Sequence, residues 1–147
     1  FLEPDEDAYT GAARELREET GLEAVNLRML KARTEPRRDP RTRIVTLPFL
    51  ADIAGNASPH ADDDAAAAEW YSFTFETRAA AGGDEIVFAL SREGSAEAPA
   101  VFTVLRSHDA CGLRGDPVYT VNGESPLAGD HGAIFAAALD AGADTPR

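Results

Sequence analysis

The segment Arg14-Glu15-Leu16-Arg17-Glu18-Glu19-Thr20-Gly21-Leu22 gathers the side chains of this sequence best suited to chemistry. On a helix turning by about 100° per residue, Glu15, Glu18 and Glu19 share one face, because they sit at i, i+3 and i+4. Like charges so placed repel, at a cost of roughly a few tenths of a kcal/mol per pair. Two readings account for them. One is a solvated acidic face, common on surface helices. The other is a face that binds a divalent cation, for which carboxylate oxygens are preferred ligands and which removes the repulsion. Ala8, Gly11 and Ala12 lie near the same face one or two turns earlier, and their small size leaves space for a bulky anionic substrate.

The elements that must position these residues follow from periodicity and caps. Residues 7–20 read as a helix stopped by Gly21, a residue suited to a left-handed cap. Tyr9, Ala13, Leu16 and Thr20 form its apolar stripe and are expected to face the core. Strands are expected over 24–32 and 43–53, the second with Pro48 marking an edge or a bulge. A polar loop over 55–64 follows, then strands over 67–73, 85–92 and 100–107, with a short one over 117–121. Asp130 is the expected N-cap of a last helix, with Ile134, Phe135, Ala138 and Leu139 as its stripe and Gly142 as its stop. Trp70 is expected in the core. There are no internal repeats and no strict βα alternation. The class is therefore α/β in the α+β sense, a mixed sheet covered by helices rather than a doubly wound fold.

Composition narrows the function. The 147 residues fit one globular domain, and 44% hydrophobic with 27% charged residues is ordinary for a folded protein. No apolar run approaches the roughly 18 residues of a membrane span, and no signal-peptide pattern opens the sequence. Cys111 is the single cysteine, so no internal disulfide forms and a reducing cytoplasm is the default compartment. With 26 acidic and 14 basic side chains the net charge is −12. Such a surface repels a phosphate backbone, which argues against nucleic-acid binding. It suits a site that gathers cations, or it simply keeps the protein soluble.

The chemical segment resembles the Nudix box: a glycine, five residues, a glutamate, seven residues, then Arg-Glu-U-x-Glu-Glu-x-Gly-U, with U a bulky aliphatic. Glu6 falls eight residues before Arg14, and Leu16 and Leu22 take the two aliphatic positions. The opening glycine would fall immediately before Phe1. The resemblance thus implies a single Nudix domain over 1–147, cut at its N-terminus within the box, its first strands preceding Phe1. It implies the family's α/β/α sandwich and hydrolysis of a diphosphate linkage. It also implies that Glu15, Glu18 and Glu19 bind Mg²⁺ or Mn²⁺, with Glu15 or Glu18 sharing general-base work. Arg14 would orient a box glutamate, and Glu6 would support the loop and helix. A diphosphate repels nucleophiles; a metal neutralises that charge, lowers the pKa of a bound water and holds both in line.

Beyond the box, Arg38-Asp39-Pro40-Arg41, Asp63-Asp64-Ala65 before Glu69-Trp70, and Leu127-Ala128-Gly129-Asp130-His131 are similar to the ADP-ribose pyrophosphatase branch. Gly129 stands where that branch has an aromatic. Arg38 and Arg41 are either contacts to substrate phosphates or plain surface charge. Asp63, Asp64 or Glu69 supply a further carboxylate or merely solvate a loop, and His131 is a helix-start or packing residue rather than a catalytic one. Residues 76–125 match no family feature; their strands extend the sheet, cover the site or mediate a homodimer. The resemblance implies a small-molecule nucleotide substrate, ADP-ribose or a nucleotide sugar. The rival reading is a catalytically silent, ligand-binding or regulatory Nudix module, against which the intact glutamates argue.

Overall fold

In the computed structural model, which describes residues 1–36, 38–39, 41–55, 57–60, 68–108 and 115–143, helix α1 (Ala8–Thr20) starts where Asp7 stops being extended. The Asp7 carboxylate accepts the backbone N–H groups of Tyr9 at 2.8 Å and Thr10 at 3.0 Å, two of the donors a helix start leaves orphaned. Those bonds hold the Asp7 carboxyl below its ordinary pKa, Thr10 contributing most. The helix ends at Gly21, which is left-handed at φ 67° and donates its N–H to Arg17 O.

The chain divides into two compact units, residues 1–34 with 45–70, and residues 35–44 with 71–147. In the first, β1 (Ala24–Met29) pairs antiparallel with β2 (Phe49–Ile53), with a register shift between Ala24 and Asn26. The expected strand over 43–53 shrinks to β2 because Pro48 has no N–H to give a ladder. Before it the pairing survives only as the Pro48 carbonyl accepting from Leu30 and one isolated bridge between Arg33 and Thr46. Two strands are too narrow to bury a helix face. The expected stripe is accordingly not a core: Tyr9 is 48% exposed and set edge-on to Phe49, Ala13 is exposed, and Leu16 and Thr20 are half-buried. Gly11 is the buried residue of α1 instead. Trp70 is also out of the core, at 41% exposed, with its indole N–H donating to the Ala57 carbonyl at 2.8 Å.

The second unit is a four-stranded meander, β3 (Tyr71–Ala80), β4 (Gly83–Arg92), β5 (Ala100–Ser107) and β6 (Val118–Asn122), in that order and antiparallel throughout. The class is α+β. In place of one mixed sheet, the described residues make two antiparallel sheets, since tight connections such as the two-residue Ala81–Gly82 turn let consecutive strands pair directly. That hairpin also explains why the strand expected over 67–73 begins at Tyr71 and continues to Ala80: β4 templates it. Gly83 leaves the turn at φ 157°, and a Cβ there would sit 2.1 Å from the Arg106 carbonyl of β5. No larger residue fits.

Helix α2 (His131–Ala143) packs on β5 and β6. Its buried residues include Ala133 and Ala136, small enough to let the helix approach the sheet, with Phe135 and Leu139 packed alongside. Gly142 does not stop it; the helix runs on to Ala143. Asp130 immediately precedes it, its backbone carbonyl accepting from Ala133 and Ile134 as at any helix start, while its carboxylate takes a two-point fork from Arg38. The core is Ile86 and Phe88 of β4, Phe102 and Val104 of β5, and Tyr119 of β6 under this helix. Phe88 and Phe102 stack at 5.0 Å and 18°, and Phe135 stands edge-on to Phe88 at 5.3 Å. Arg106 donates to Asp84 at 2.9 Å and to Asp140 of α2 at 3.1 Å, and the Tyr119 hydroxyl also donates to Asp140. Burial, then that bond, raises the Tyr119 pKa. Cys111 lies outside the described residues.

Phe88 is fully buried whereas Val101, on the same sheet, is 55% exposed. Phe88→Ala is therefore expected to destabilise the fold by about 3–5 kcal/mol, and Val101→Ala by less than about 0.5 kcal/mol. Urea unfolding of the two variants measures both.

Candidate active site

Helix α1 presents Glu15, Glu18 and Glu19 on one side, and Arg14 reaches across the first two. One guanidinium nitrogen of Arg14 donates to Glu15 Oε1 at 2.9 Å and to Glu18 Oε2 at 2.8 Å. Its other edge forks onto Glu6, Nε to Oε2 at 3.1 Å and Nη2 to Oε1 at 2.7 Å, and Nη2 also donates to the Phe1 carbonyl at 3.1 Å. Glu6 in turn accepts the Glu3 N–H at 2.8 Å. One positive charge thus ties the segment before the helix to the acidic face of the helix. The side chains of Arg14 and Glu6 are only 22% and 10% exposed, so this fork is shielded as ordinary surface pairs are not.

The charges respond accordingly. The Arg14 fork, then the Glu3 N–H, hold the Glu6 carboxyl at about 2, far below its usual value of 4.5. The Phe1 amino group at 3.2 Å, then Arg14, lower the Glu15 carboxyl. Its carboxylate partners raise the Arg14 pKa, Glu6 most of all. Glu19 is exposed and takes no part in the Arg14 cluster. Among the described residues no three acidic, histidine or cysteine side chains converge into a ready-made cation cage. The donor chemistry of Glu15, Glu18 and Glu19 is nevertheless that of a hard cation's ligands. The space beside Gly11 is not open to substrate as expected: a Cβ there would lie 2.6 Å from Leu2 Cδ2 and 2.9 Å from Glu6 Oε1.

The C-terminal end of the same helix is fixed by a contact the sequence does not signal. His60 donates its backbone N–H to Thr20 O at 3.0 Å, and its imidazole lies where a Gly21 side chain would be, 2.2 Å from an added Cβ. Gly21 is thus required twice, for its backbone angle and for the ring beside it. Sequence reasoning sees only the first requirement.

The remaining predicted residues do not join this cluster. Arg38 belongs to the second unit, where it forks onto Asp130 with Nε to Oδ2 at 3.0 Å and Nη2 to Oδ1 at 2.8 Å. Its side chain is 8% exposed. Arg41 is 78% exposed and pairs with Asp39, whose carboxyl it pulls down to about 2, its side chain contributing more than its backbone N–H. Glu69 and His131 are exposed. Asp63 and Asp64 lie outside the described residues.

Because the folded-state pKa of Glu6 is depressed, its stabilising contribution is complete above the ordinary carboxylate range and is lost as pH falls toward about 2. An NMR titration of the Glu6 carboxyl carbon is expected to show a midpoint near 2, moving up toward 4.5 in Arg14→Gln. A native midpoint near 4.5 would contradict the fork.

Comparison with known proteins bears on this constellation directly. The family model of the NUDIX domain matches residues 1–90. An ADP-ribose pyrophosphatase of Methanocaldococcus jannaschii is 35% identical over 71 residues, 48% of this chain and 41% of that protein. The chain thus spans less than half the length of the curated relative it matches. No solved structure matches it. The family match covers more than half of the chain and takes in the Arg14 cluster, the first sheet and most of the β3–β4 hairpin. This chain belongs to the NUDIX domain family.

Proposed function

We propose that the chain acts as a metal-dependent pyrophosphohydrolase on a nucleoside diphosphate linked to another group, with ADP-ribose or a nucleotide sugar preferred. The observation that carries this reading is the acidic face of α1, with Glu15 and Glu18 oriented by one arginine inside a family-matched segment. The substrate preference draws on the ADP-ribose pyrophosphatase that shares 35% identity over the matched stretch.

Glu15, Glu18 and Glu19 would hold Mg²⁺ or Mn²⁺. A bound cation of this kind supplies charge neutralisation on the diphosphate and a water of lowered pKa. Arg14 sets the positions of the Glu15 and Glu18 carboxylates, and Glu6 holds Arg14 in that position through its two-point fork. A carboxylate of Glu15 or Glu18 accepts the proton released when water attacks phosphorus.

Glu19→Gln keeps the side chain's size and removes its charge. Metal-dependent turnover is expected to fall by roughly a hundredfold or more, the scale of losing one electrostatic contributor. Near-normal turnover by a folded variant, or full activity in excess chelator, would sink the mechanism. In a panel of nucleotide sugars, dinucleotides and nucleoside triphosphates with Mg²⁺, ADP-ribose or a related diphosphate sugar is expected to turn over fastest. A clear preference for a triphosphate would reject the substrate assignment.

A further inference from the structure

The last turn of α1 carries Glu18 and Glu19, and its four final carbonyls, Arg17 to Thr20, find no partners inside the helix. Such an end frays unless donors from outside the helix meet it. Burial does little here, because Arg17, Glu18 and Glu19 are exposed and Thr20 is half-buried. Arg14 does not secure the whole turn either. It holds Glu18, whereas Glu19 takes no part in its cluster, so the backbone of the turn decides where Glu19 stands. Two local bonds tighten that backbone, Gly21 N–H to Arg17 O at 2.9 Å and the Thr20 hydroxyl to Leu16 O at 2.6 Å. Support from farther along the chain comes from residues 57–60 of the same unit. The His60 N–H donates to Thr20 O at 3.0 Å, and Nδ1, Cε1 and Nε2 of its ring all lie within 2.7 Å of the point a Gly21 Cβ would occupy. The segment that carries His60 is itself held. Trp70 donates its indole N–H to the Ala57 carbonyl at 2.8 Å, three residues before His60, and Pro59 fixes its own φ immediately before the contact.

We infer that His60 is a positioning residue for the glutamate face: its ring and backbone N–H hold the last turn of α1 so that Glu18 and Glu19 stand ready to bind a cation together with Glu15. The inference rests on the cation binding proposed above and adds to that site a residue from outside its contiguous motif. Repulsion among Glu15, Glu18 and Glu19 works to open the turn when no cation offsets it. A docked helix end resists that opening, so cation binding does not have to order the turn first. His60 is exposed, and its removal opens no cavity in the core. Its effect therefore falls on the placement of the glutamates rather than on the stability of the fold.

Titration of the full chain with Mn²⁺, followed by electron paramagnetic resonance, tests this beside turnover of the fastest substrate of the panel above. His60→Ala keeps the backbone N–H and removes the ring. It is expected to weaken Mn²⁺ binding about tenfold, the scale on which losing a residue that supports a metal ligand acts. The kcat at saturating Mn²⁺ should stay within about threefold of the native value, and exchange of the Gly21 amide hydrogen should quicken. Gly21→Ala should weaken Mn²⁺ binding more in the native background than in His60→Ala, where no ring meets the added methyl group. Unchanged Mn²⁺ affinity in His60→Ala overturns the inference and leaves the cation site standing. So do strictly additive costs of the two substitutions, and so does a fall in Tm of more than about 4 °C, which would make His60 a support of the whole fold. A native chain that binds no Mn²⁺ overturns both the inference and the cation site on which it rests.

Discussion

Arg14 resolves a conflict that the rest of the candidate site depends on. Glutamates at i, i+3 and i+4 repel, and a helix with such a face needs a counter-charge. A lysine would offer a point charge to one carboxylate at a time. The planar guanidinium offers two edges, and here one serves Glu6 while the other spans Glu15 and Glu18. The fork onto Glu6 gives residues before the helix a defined place, since Glu6 also accepts from Glu3. Local order ahead of α1 thus comes from electrostatics more than from apolar burial: Phe1 and Leu2 are 93% and 51% exposed.

The aromatic core and the candidate site occupy different parts of the chain. The aromatic core of β4, β5, β6 and α2 belongs to the second unit, whereas the glutamate face belongs to the first. Residues 76–125, without family features at the level of motif, contribute most of that core. They need only alternate correctly and fill space, requirements many sequences meet. The box residues are constrained by charge geometry, which few sequences meet. That difference is why one region carries a readable motif and the other does not.

What could be read from the sequence was local. The helix over 7–20, its stop at Gly21 and the strands over 85–92 and 100–107 follow from neighbours a few residues apart, and the structure places them within a residue or two. Family membership was legible for the same reason, since the box is one contiguous segment. Asp130 shows the limit. Read locally it is a helix N-cap, and nothing near it signals that its carboxylate also takes a two-point fork from Arg38, 92 residues away. The Tyr9 stripe shows another. Periodicity identifies an apolar face, but not whether anything wide enough exists to cover it, and a two-stranded sheet is not.

The Arg38–Asp130 fork also orders the folding of the chain in time. The polypeptide passes from one unit to the other after residues 34, 44 and 70. Synthesis runs from the N-terminus, so the first unit is complete once Trp70 has emerged. Residues 35–44 are made before that point yet belong to the second unit, and the carboxylate that anchors Arg38 is not made until α2 begins. Closing a loop of that length costs entropy that grows only logarithmically with its size, so stability suffers little. Speed suffers more, because contacts distant in sequence form slowly. A segment early in the sequence is therefore late to fold.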